Sequence, residues 1–253
     1  MLTLQDVHFT IEDKKILDGV SAHFEPCKIH GIIGPNGSGK STMLKNICRI
    51  WEPQSGTIFL QGKDYRTIPR KKLSALVTLV PQNTAIGFPV SVFDIVSMGR
   101  NPHHGRFEGM KQADREIIEY ALQQTGIYEL RDRNVNELSG GEGQLAIIAR
   151  ALATEASLIL LDEPTAELDI RHTLAIMAIL SELKAQGKTI LVTMHDLNLA
   201  KKYCDTISII HRGRIFYSGA AEGAFSPDNI KQVFDVQVRE LKNDSATFLD
   251  FYA

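Results

Sequence analysis

A glycine-rich loop near the N-terminus constrains this chain more than any other feature. Residues 34–42 read Gly-Pro-Asn-Gly-Ser-Gly-Lys-Ser-Thr, which fits the pattern Gly-x-x-x-x-Gly-Lys-[Ser/Thr] of a phosphate-binding loop. Glycines let the backbone wrap closely around phosphates and aim its N–H groups at them, and the following helix adds its positive end. The apolar run from Ile29 to Ile33 precedes the loop, and a helical pattern from Thr42 to Ile50 follows it. This setting predicts an α/β protein that binds nucleotide phosphates.

Two side chains of the loop carry separate roles. We expect Lys40 to reach the β- and γ-phosphates and the Ser41 hydroxyl to bind Mg²⁺. An accidental glycine-rich turn is the alternative interpretation. The residues expected to contact the nucleotide are Gly34, Pro35, Asn36, Gly37, Ser38, Gly39, Lys40, Ser41 and Thr42.

Size and composition exclude several classes of protein. A length of 253 residues suits one α/β domain, or one with an inserted lobe. The net charge of −2 argues against nucleic acid as the main partner. No apolar run approaches the roughly 18 residues of a membrane span, and the first residues lack the order of a signal peptide. Three scattered cysteines, at positions 27, 48 and 204, have no metal-ligand spacing and resemble small buried hydrophobes in a reducing cytosol. We therefore expect a cytosolic chain.

The pattern of apolar residues divides the chain into a core and an insert. The start is rich in strands, predicted at 2–9, 29–33, 57–60 and 76–80. Helical patterns dominate from about residue 87 to residue 152; in one of them Ile118, Ala121, Leu122 and Thr125 share a face, with Gly126 as the expected helix end. A strand–helix–strand alternation returns at Leu158. A hairpin is predicted around Gly213, and a helix with a short end segment from about Ala221. We therefore predict an α/β core formed by 1–86 and 156–253, with a helical lobe at 87–155.

Polar side chains follow three of the predicted strands. Asp162 and Glu163 end the apolar run that begins at Leu158, Gln82 follows an earlier strand, and His195 follows a later one. One carboxylate is needed for the Mg²⁺ shell and another to orient and deprotonate a water. Because adjacent strand residues point to opposite faces, we assign Asp162 to Mg²⁺ and Glu163 to the general base. His195, expected beside Glu163, could bond the γ-phosphate or the water, and Gln82 could contact Mg²⁺ or water. Taken singly, the acidic pair, Gln82 and His195 also allow purely structural roles.

A second anion-binding helix start is predicted far from the first. Ser139, Gly140 and Gly141 precede a helical run, with Ser139 suited to the N-cap and the glycines open to a phosphate. One monomer does not need two such sites. A two-fold dimer, in which Ser139 of each chain completes the nucleotide site of the other, would explain both.

These segments together resemble the ATPase subunit of ABC transporters over nearly the whole chain. In order they match Walker A (34–42), the Q-loop (Gln82), the signature (Leu138–Glu142), Walker B (158–163), the D-loop (Leu168 and Asp169) and the switch histidine (His195). The resemblance implies a P-loop NTPase core with a mostly parallel sheet, an N-terminal antiparallel β portion and an inserted helical lobe. It also implies Mg-ATP hydrolysis by a head-to-tail homodimer with two ATP molecules between Walker A and the partner's signature. Ser139, Gly140, Gly141 and Asp169 would then act across the dimer.

A narrower resemblance concerns the cargo. Residues 91–103 and 195–205 resemble the corresponding segments in the ATPase subunits of importers for iron-siderophores, haem and vitamin B12. That group implies multi-spanning permease subunits, an extracytoplasmic substrate-binding protein, and a place on the inner face of the cell membrane. At the end of the first segment and just after it, His103 and His104 could be metal ligands or, in the preferred interpretation, part of the groove for a permease helix. An ATPase subunit of this group does not contact the cargo, so the sequence of this chain does not identify it.

The chain departs from the family pattern at three places. Ile11 stands where an aromatic residue usually stacks on adenine, with Phe9 as a possible substitute. Glu142 and Gly143 replace the common Gln-Arg of the signature, and Ala166 replaces a common Ser in the D-loop. These changes put ATP affinity and dimer strength in question, whereas the predicted catalytic groups are unaffected.

Other functions stay open. The ATPase could serve an exporter or an importer of another cargo, such as a metal ion or oxyanion. A soluble ABC ATPase acting on nucleic acid or ribosomes usually carries tandem cassettes, long insertions or a basic surface, which this chain lacks. A P-loop kinase or GTPase would not need Leu138–Glu142.

Overall fold

The computed structural model contains two compact units. The first comprises Met1–Thr67 and Leu191–Ala253, and the second comprises Ile68–Ile190. The structure describes residues 2–82, 87, 89–105, 108–242 and 247–252. Both predicted lobe boundaries, 87 and 155, fall inside the second unit, and the extent of the lobe remains a prediction.

The described elements alternate between strands and helices in chain order. Short 3₁₀ turns lie at Tyr65–Thr67, Met98–His103, Tyr128–Leu130 and Val135–Glu137. The strands and helices are β1 (Leu2–Ile11), β2 (Lys14–Phe24), β3 (Ile29–Ile33), α1 (Lys40–Ile47), β4 (Ser55–Leu60), β5 (Lys63–Asp64), α2 (Arg70–Leu76), β6 (Val77–Val80), α3 (Val92–Ser97), α4 (Gln112–Gln124), α5 (Gly140–Ala153), β7 (Leu158–Asp162), α6 (Ile170–Ala185), β8 (Thr189–Thr193), α7 (Leu197–Tyr203), β9 (Thr206–His211), β10 (Arg214–Ala220), α8 (Ala221–Ala224), α9 (Pro227–Phe234), β11 (Gln237–Lys242) and β12 (Thr247–Tyr252).

An antiparallel sheet with the strand order β2-β1-β4-β5 belongs to the first unit. Leu2 and Leu4 of β1 are buried and, after an irregularity in the pairing between Leu4 and Val7, so are Val7 and Phe9, as a strand with one face on a core requires. The predicted strands at 2–9 and 57–60 are confirmed as β1 and β4. The sequence pattern missed β2, because charged residues at its start and Gly19 at its middle interrupt the two-residue period. Pairing with β1 along most of its length supplies the hydrogen bonds of β2.

A mostly parallel sheet carries the site residues. In the first unit its strands follow the order β10-β9-β3-β8, and in the second unit β8-β7-β6, since β8 itself spans the boundary between Ile190 and Leu191. Strand β3 runs parallel to β9, and β6 runs parallel to β7, whereas β10 is antiparallel to β9. Every residue of β3, β7 and β8 is buried, which explains their continuous apolar sequences.

Helices α3, α4 and α5 pack together in the second unit. The predicted apolar face of α4 is confirmed, because Ile118, Ala121, Leu122 and Thr125 are all buried. The glycine after this helix, Gly126, has a φ of 70°, as a left-handed helix end requires. Helix α5 buries most of its residues, so the helix that begins at Ser139 is held by tertiary packing along its length.

The C-terminal segment contains the predicted helix and an end segment for which no secondary structure was predicted. A helix was expected, and α8 and α9 are present, but the end segment forms the antiparallel pair β11 and β12. Asn198 of α7 holds this strand pair in place, because its side-chain amide exchanges two hydrogen bonds with the backbone of Leu249 in β12. The expectation that all three cysteines are buried is confirmed for Cys204, whereas Cys48 is half-buried and Cys27 is exposed at a turn. Within the described ranges, no helix combines the length and apolar character needed to cross a bilayer.

Candidate functional site

The phosphate-binding loop connects β3 to α1, and its backbone leaves no room for side chains at two glycines. Gly34 has a φ of 151°, and a Cβ atom there would lie 2.1 Å from the Ile210 carbonyl oxygen. Gly39 has a φ of 110°, and its Cβ would lie 2.8 Å from the Ile16 oxygen. Glycine is therefore needed at both positions for conformational and steric reasons.

Donor groups in the loop suit an anion. Only 5% of Lys40 is exposed, and its ammonium donates to the carbonyl oxygens of Gly34 at 2.9 Å and Pro35 at 3.3 Å. The hydroxyl of Ser38 is buried and has no hydrogen-bond partner among the described residues. Helix α1 starts at Lys40 without a side-chain cap, so its first N–H groups remain directed at the loop. These features fit a phosphate group.

The remaining loop residues divide by exposure. Asn36 and Gly37 are exposed at the tip, Pro35 and Ser41 are half-buried, and Thr42 is buried at the start of α1. The loop therefore keeps an open tip above a closed base.

The sequence did not predict the hydrogen bonds that connect the phosphate-binding loop to the turn at Gly213 and to β2. The Gly213 N–H, in the turn between β9 and β10, donates to the Ser38 carbonyl at 3.1 Å. In turn, the Asp18 N–H of β2 donates to the Gly213 carbonyl at 2.8 Å, and the Arg214 guanidinium donates to the Asp18 carboxylate. The hairpin at Gly213 was predicted, but its contact with Ser38 depends on chain segments that no sequence spacing relates.

The predicted adenine position is open to solvent. Ile11 ends β1 with 42% of its surface exposed, as an apolar contact for a base requires. Phe9, the suggested substitute, is buried and stacks on Trp51 with 5.5 Å between ring centroids. Phe9 therefore belongs to the core, and Ile11 is the better candidate of the two.

The acidic pair lies at the carboxyl end of β7. Asp162 is the last residue of the strand and only 5% of it is exposed. Glu163 lies beyond the strand, is half-buried, and has a φ of 50°. The different environments of the two carboxylates therefore result from this left-handed backbone and not from alternation along a strand, which was the predicted reason. A non-glycine residue in this conformation is strained and is often found at functional sites.

Gln82 contacts Glu163 directly. Its Nε2 donates to Oε2 of Glu163 over 2.6 Å, which joins the segment after β6 to the segment after β7. The structure therefore brings together two of the three residues predicted to be catalytic.

The three side chains predicted to bind Mg²⁺ carry donors of a suitable chemical type. Ser41, Gln82 and Asp162 offer a hydroxyl, an amide and a carboxylate, all oxygen donors of the kind that Mg²⁺ binds together with phosphate oxygens and water. Among the described residues, no cluster of three His, Cys, Asp or Glu side chains could hold a metal by itself. Mg²⁺ binding by Ser41, Gln82 and Asp162 stays a prediction.

The signature segment forms a closed N-terminal cap on α5. The Ser139 hydroxyl accepts from the Glu142 N–H, and the Glu142 carboxylate accepts from both the N–H and the hydroxyl of Ser139, each at 2.8 Å. These two hydrogen bonds lower the pKa of Glu142, with a smaller contribution from the positive charges of Arg133 and His172. Ser139 and Gly140 are exposed, whereas Gly141 is buried. The predicted N-cap is confirmed.

Asp169 caps the next helix, α6. Its Oδ1 accepts from the His172 N–H at 2.8 Å and lies 2.9 Å from the His172 ring nitrogen Nδ1. Both hydrogen bonds lower the pKa of Asp169, the backbone one most. The Asp169 side chain is 63% exposed, so a second molecule could still reach it.

His195 is exposed just beyond β8. Its neighbours are fixed, since the Met194 N–H donates to the Ile32 carbonyl at 3.1 Å and Asp196 caps α7 by accepting from the Leu199 N–H. The backbone therefore holds His195 at the carboxyl end of a central strand. Its predicted position beside Glu163 stays a prediction.

His103 and His104, at the end of the 3₁₀ turn Met98–His103, have structural partners. His103 Nε2 lies 2.9 Å from the Thr154 carbonyl oxygen, and His104 Nε2 lies 3.0 Å from Asp114 Oδ2. Arg100, almost fully buried, donates to Asp114 and to the Ala153 carbonyl. These contacts fasten the segment to α4 and α5 and favour a structural role over the metal-ligand alternative.

Comparisons with known proteins agree with this geometry. The family model described as "ABC transporter" matches residues 17–166. A cobalamin import ATP-binding protein of Halobacterium salinarum is 36% identical over 88% of this chain, and the chain spans 56% of its length. In Bacillus subtilis, an iron(3+)-hydroxamate import ATP-binding protein is 38% identical over 93% of this chain and 87% of its own. A manganese transport ATP-binding protein of the same organism is 37% identical, and the match covers 95% of this chain and 94% of that protein.

Solved structures show the same fold. An ABC transporter assigned to the metal-chelate type, in an inward-facing conformation, contains a chain that aligns with a TM-score of 0.86. It is 27% identical and covers 99% of this chain and 96% of that chain. A dimeric bacterial ABC transporter cassette aligns with a TM-score of 0.78 at 26% identity. The alignment covers 87% of this chain and 99% of that chain.

Proposed function

The chain belongs to the ABC transporter family, and from that premise we propose that it is an ATP-hydrolysing motor subunit that drives import of a metal chelate. The observation that carries the nucleotide part is the phosphate loop. Its helix α1 has no side-chain cap, and its Ser38 hydroxyl is buried without a partner among the described residues. An anion bound here would satisfy both.

Each predicted residue has a role in this proposal. Loop N–H groups and Lys40 hold the phosphates, while Ser41, Asp162 and the Gln82 amide oxygen hold Mg²⁺, which when bound would offset the charge of the β- and γ-phosphates. Glu163 accepts the proton of the attacking water, and Gln82 orients its carboxylate through their 2.6 Å hydrogen bond. His195 hydrogen-bonds the γ-phosphate or the water, and Ile11 covers the base.

A homodimer would complete the site. Ser139 and Gly140 are exposed at the start of α5 and would bind the γ-phosphate of the partner's ATP through a hydroxyl and the N–H groups of the helix start. Exposed Asp169 would contact the partner beside it. Gly141 is buried in its own chain, so only its backbone N–H could take part. A dimeric cassette among the similar structures supports this arrangement.

The cargo proposal depends on the relatives. The cobalamin and iron(3+)-hydroxamate proteins favour a metal chelate of the siderophore, haem or vitamin B12 type. The manganese relative supports the alternative of a metal-ion cargo. For either cargo, the partners would be multi-spanning permease subunits and, indirectly, an extracytoplasmic binding protein. The chain would then lie on the inner face of the cell membrane. A role on nucleic acid or ribosomes is disfavoured by the net charge of −2.

Lys40→Ala tests the nucleotide proposal. We expect Mg-ATP hydrolysis by the purified chain to fall to background, because the loop loses its only side-chain cation in residues 34–42. Lys45→Ala is the matched control, since this lysine lies on the same helix with its ammonium 4.6 Å from the Trp51 ring centre. Full activity of Lys40→Ala would remove this lysine from the mechanism.

Copurification tests the transport proposal. Tagged protein is purified from membranes in mild detergent, and the copurifying proteins are identified by mass spectrometry. A multi-spanning protein in a 2:2 assembly supports the importer. Nucleic acid, ribosomal proteins or no membrane partner would refute it.

A further inference from the structure

We propose that His172 is a positioning residue that locks the signature segment (Leu138–Glu142) to the cap of α6 at Asp169. The inference rests on the proposed ATPase function and assigns a role to a residue that sequence patterns left unexplained. It concerns the second unit alone.

The His172 ring occupies the space where a side chain at Gly141 would lie. A Cβ atom built on Gly141 would be 2.5 Å from both Cγ and Cδ2 of the ring and 2.7 Å from Nδ1. By contrast, a Cβ on the neighbouring Gly140 would meet no atom of the described residues within 4 Å. A side chain at Gly141 would therefore clash with the His172 ring, and this steric reason for glycine is independent of any phosphate.

The same ring is fixed by Asp169. The carboxylate accepts from the His172 backbone at 2.8 Å and pairs with ring Nδ1 at 2.9 Å. Because the two bonds share Oδ1, the ring has little freedom to rotate, and its side chain is only 25% exposed. Asp169, His172 and Gly141 therefore form a continuous series of contacts from the start of α6 to the start of α5.

These contacts fix the position of the signature segment relative to the α6 cap at Asp169, and both are proposed to face the dimer partner. Ser139 and Gly140 must present their donors to the partner's ATP while Asp169 meets the partner beside them. If the segments moved independently, each would have to be ordered at dimerisation, at a cost in conformational entropy. With the His172 contact in place, they are ordered before the partner arrives.

A double-mutant cycle in thermal stability tests the contact without nucleotide. Gly141→Ala alone forces a methyl group into the ring, so we expect Tm to fall by several degrees. In the His172→Ala background the methyl group has space, and the same substitution should change Tm by less than half as much. Equal losses in both backgrounds would overturn the proposed contact.

Nucleotide measurements on the same variants test the positioning role. We expect His172→Ala to lower kcat about tenfold and to weaken ATP-driven dimerisation, with the Kd of the monomer for ATP changed less than twofold. His172→Asn, which can still donate to Asp169, should recover part of kcat. Arg171→Ala, an exposed neighbour on the same helix turn, is the control expected to match wild type.

The outcomes separate the two proposals. Wild-type protein without ATPase activity would refute the proposed function and this role with it. An active wild type with unchanged kcat and dimerisation in His172→Ala would refute the positioning role alone. A loss in monomer affinity for ATP equal to the loss in kcat would also refute it, because the effect would then act on the chain's own site.

Discussion

Gln82 Nε2 lies 2.6 Å from Glu163 Oε2, so the amide after β6 directly orients the carboxylate after β7. The two residues are 81 positions apart in the sequence. Glu163 is held in a left-handed backbone conformation, with a φ of 50°, and the hydrogen bond adds a side-chain constraint to the backbone one. A general base needs such fixed geometry, because a small misplacement of the carboxylate slows proton transfer.

Gln82→Ala should lower kcat for ATP about tenfold. A hydrogen bond to a charged group is worth about 1.5–3 kcal/mol, and its loss lets the Glu163 carboxylate rotate. Steady-state ATPase kinetics provide the measurement. Gln112→Ala is the control, since this exposed amide donates to Glu116 in the same unit. A Gln82 variant with wild-type kcat would contradict the orienting role.

Glu163→Gln should abolish turnover and trap an ATP-bound dimer. The amide keeps the size of the side chain but cannot accept the proton of the attacking water. Light scattering in excess Mg-ATP should show twice the monomer mass, while Glu182→Gln, an exposed control on α6, should behave as wild type. If the variant stays monomeric, the ATP-sandwich dimer loses its main support.

Glu142→Gln should strengthen ATP-driven dimerisation severalfold. The hydrogen bonds of Ser139 lower the pKa of Glu142, which therefore carries a negative charge beside the expected position of the partner's γ-phosphate. Glutamine keeps an oxygen for the cap and removes that charge. The protein concentration at half dimerisation, measured at two salt concentrations, should fall most at low salt. Glu137→Gln is the control, and an unchanged dimer would show that the charge at position 142 has no effect.

The folded chain should lose stability below pH 4 partly through Asp114. The N–H of Lys111, then Arg100 and His104, lower its pKa from 3.8 to about 2. A lowered folded pKa contributes stability above the unfolded value, and this contribution disappears as the pH falls from about 3.8 towards 2. We expect Asp114→Asn to lower Tm at pH 7 by a few degrees, given about 2–4 °C per kcal/mol for a chain of this size.

The control for this prediction is the exposed Asp132, which makes only a 3.6 Å surface pair with Arg131. Asp132→Asn should keep the wild-type Tm at pH 7, because such pairs contribute little. Comparing Tm from pH 7 to pH 3, the gap between wild type and Asp114→Asn should narrow at low pH. A constant gap would show that the stability comes from packing and not from the charge of Asp114.

Most elements with a clear local pattern were predicted correctly. Continuous apolar runs predicted β3, β7 and β8, and the 3.6-residue period predicted α4 and its buried face. The cap at Ser139 was predictable because capping involves residues only three positions apart. Among the elements that were not predicted, β2 and the pair β11 and β12 have interrupted patterns and depend on pairing with strands or contacts elsewhere, as Asn198 and Leu249 illustrate.

The sequence by itself determined the family, the phosphate loop and the identity of the candidate catalytic residues, because these are encoded in short segments with fixed spacing. Only the tertiary structure decided how those segments support one another. It brought the Gln82 amide within hydrogen-bond distance of the Glu163 carboxylate and packed the His172 ring against Gly141. Such contacts join residues tens of positions apart, and their geometry follows from how strands and helices pack, which no local spacing specifies.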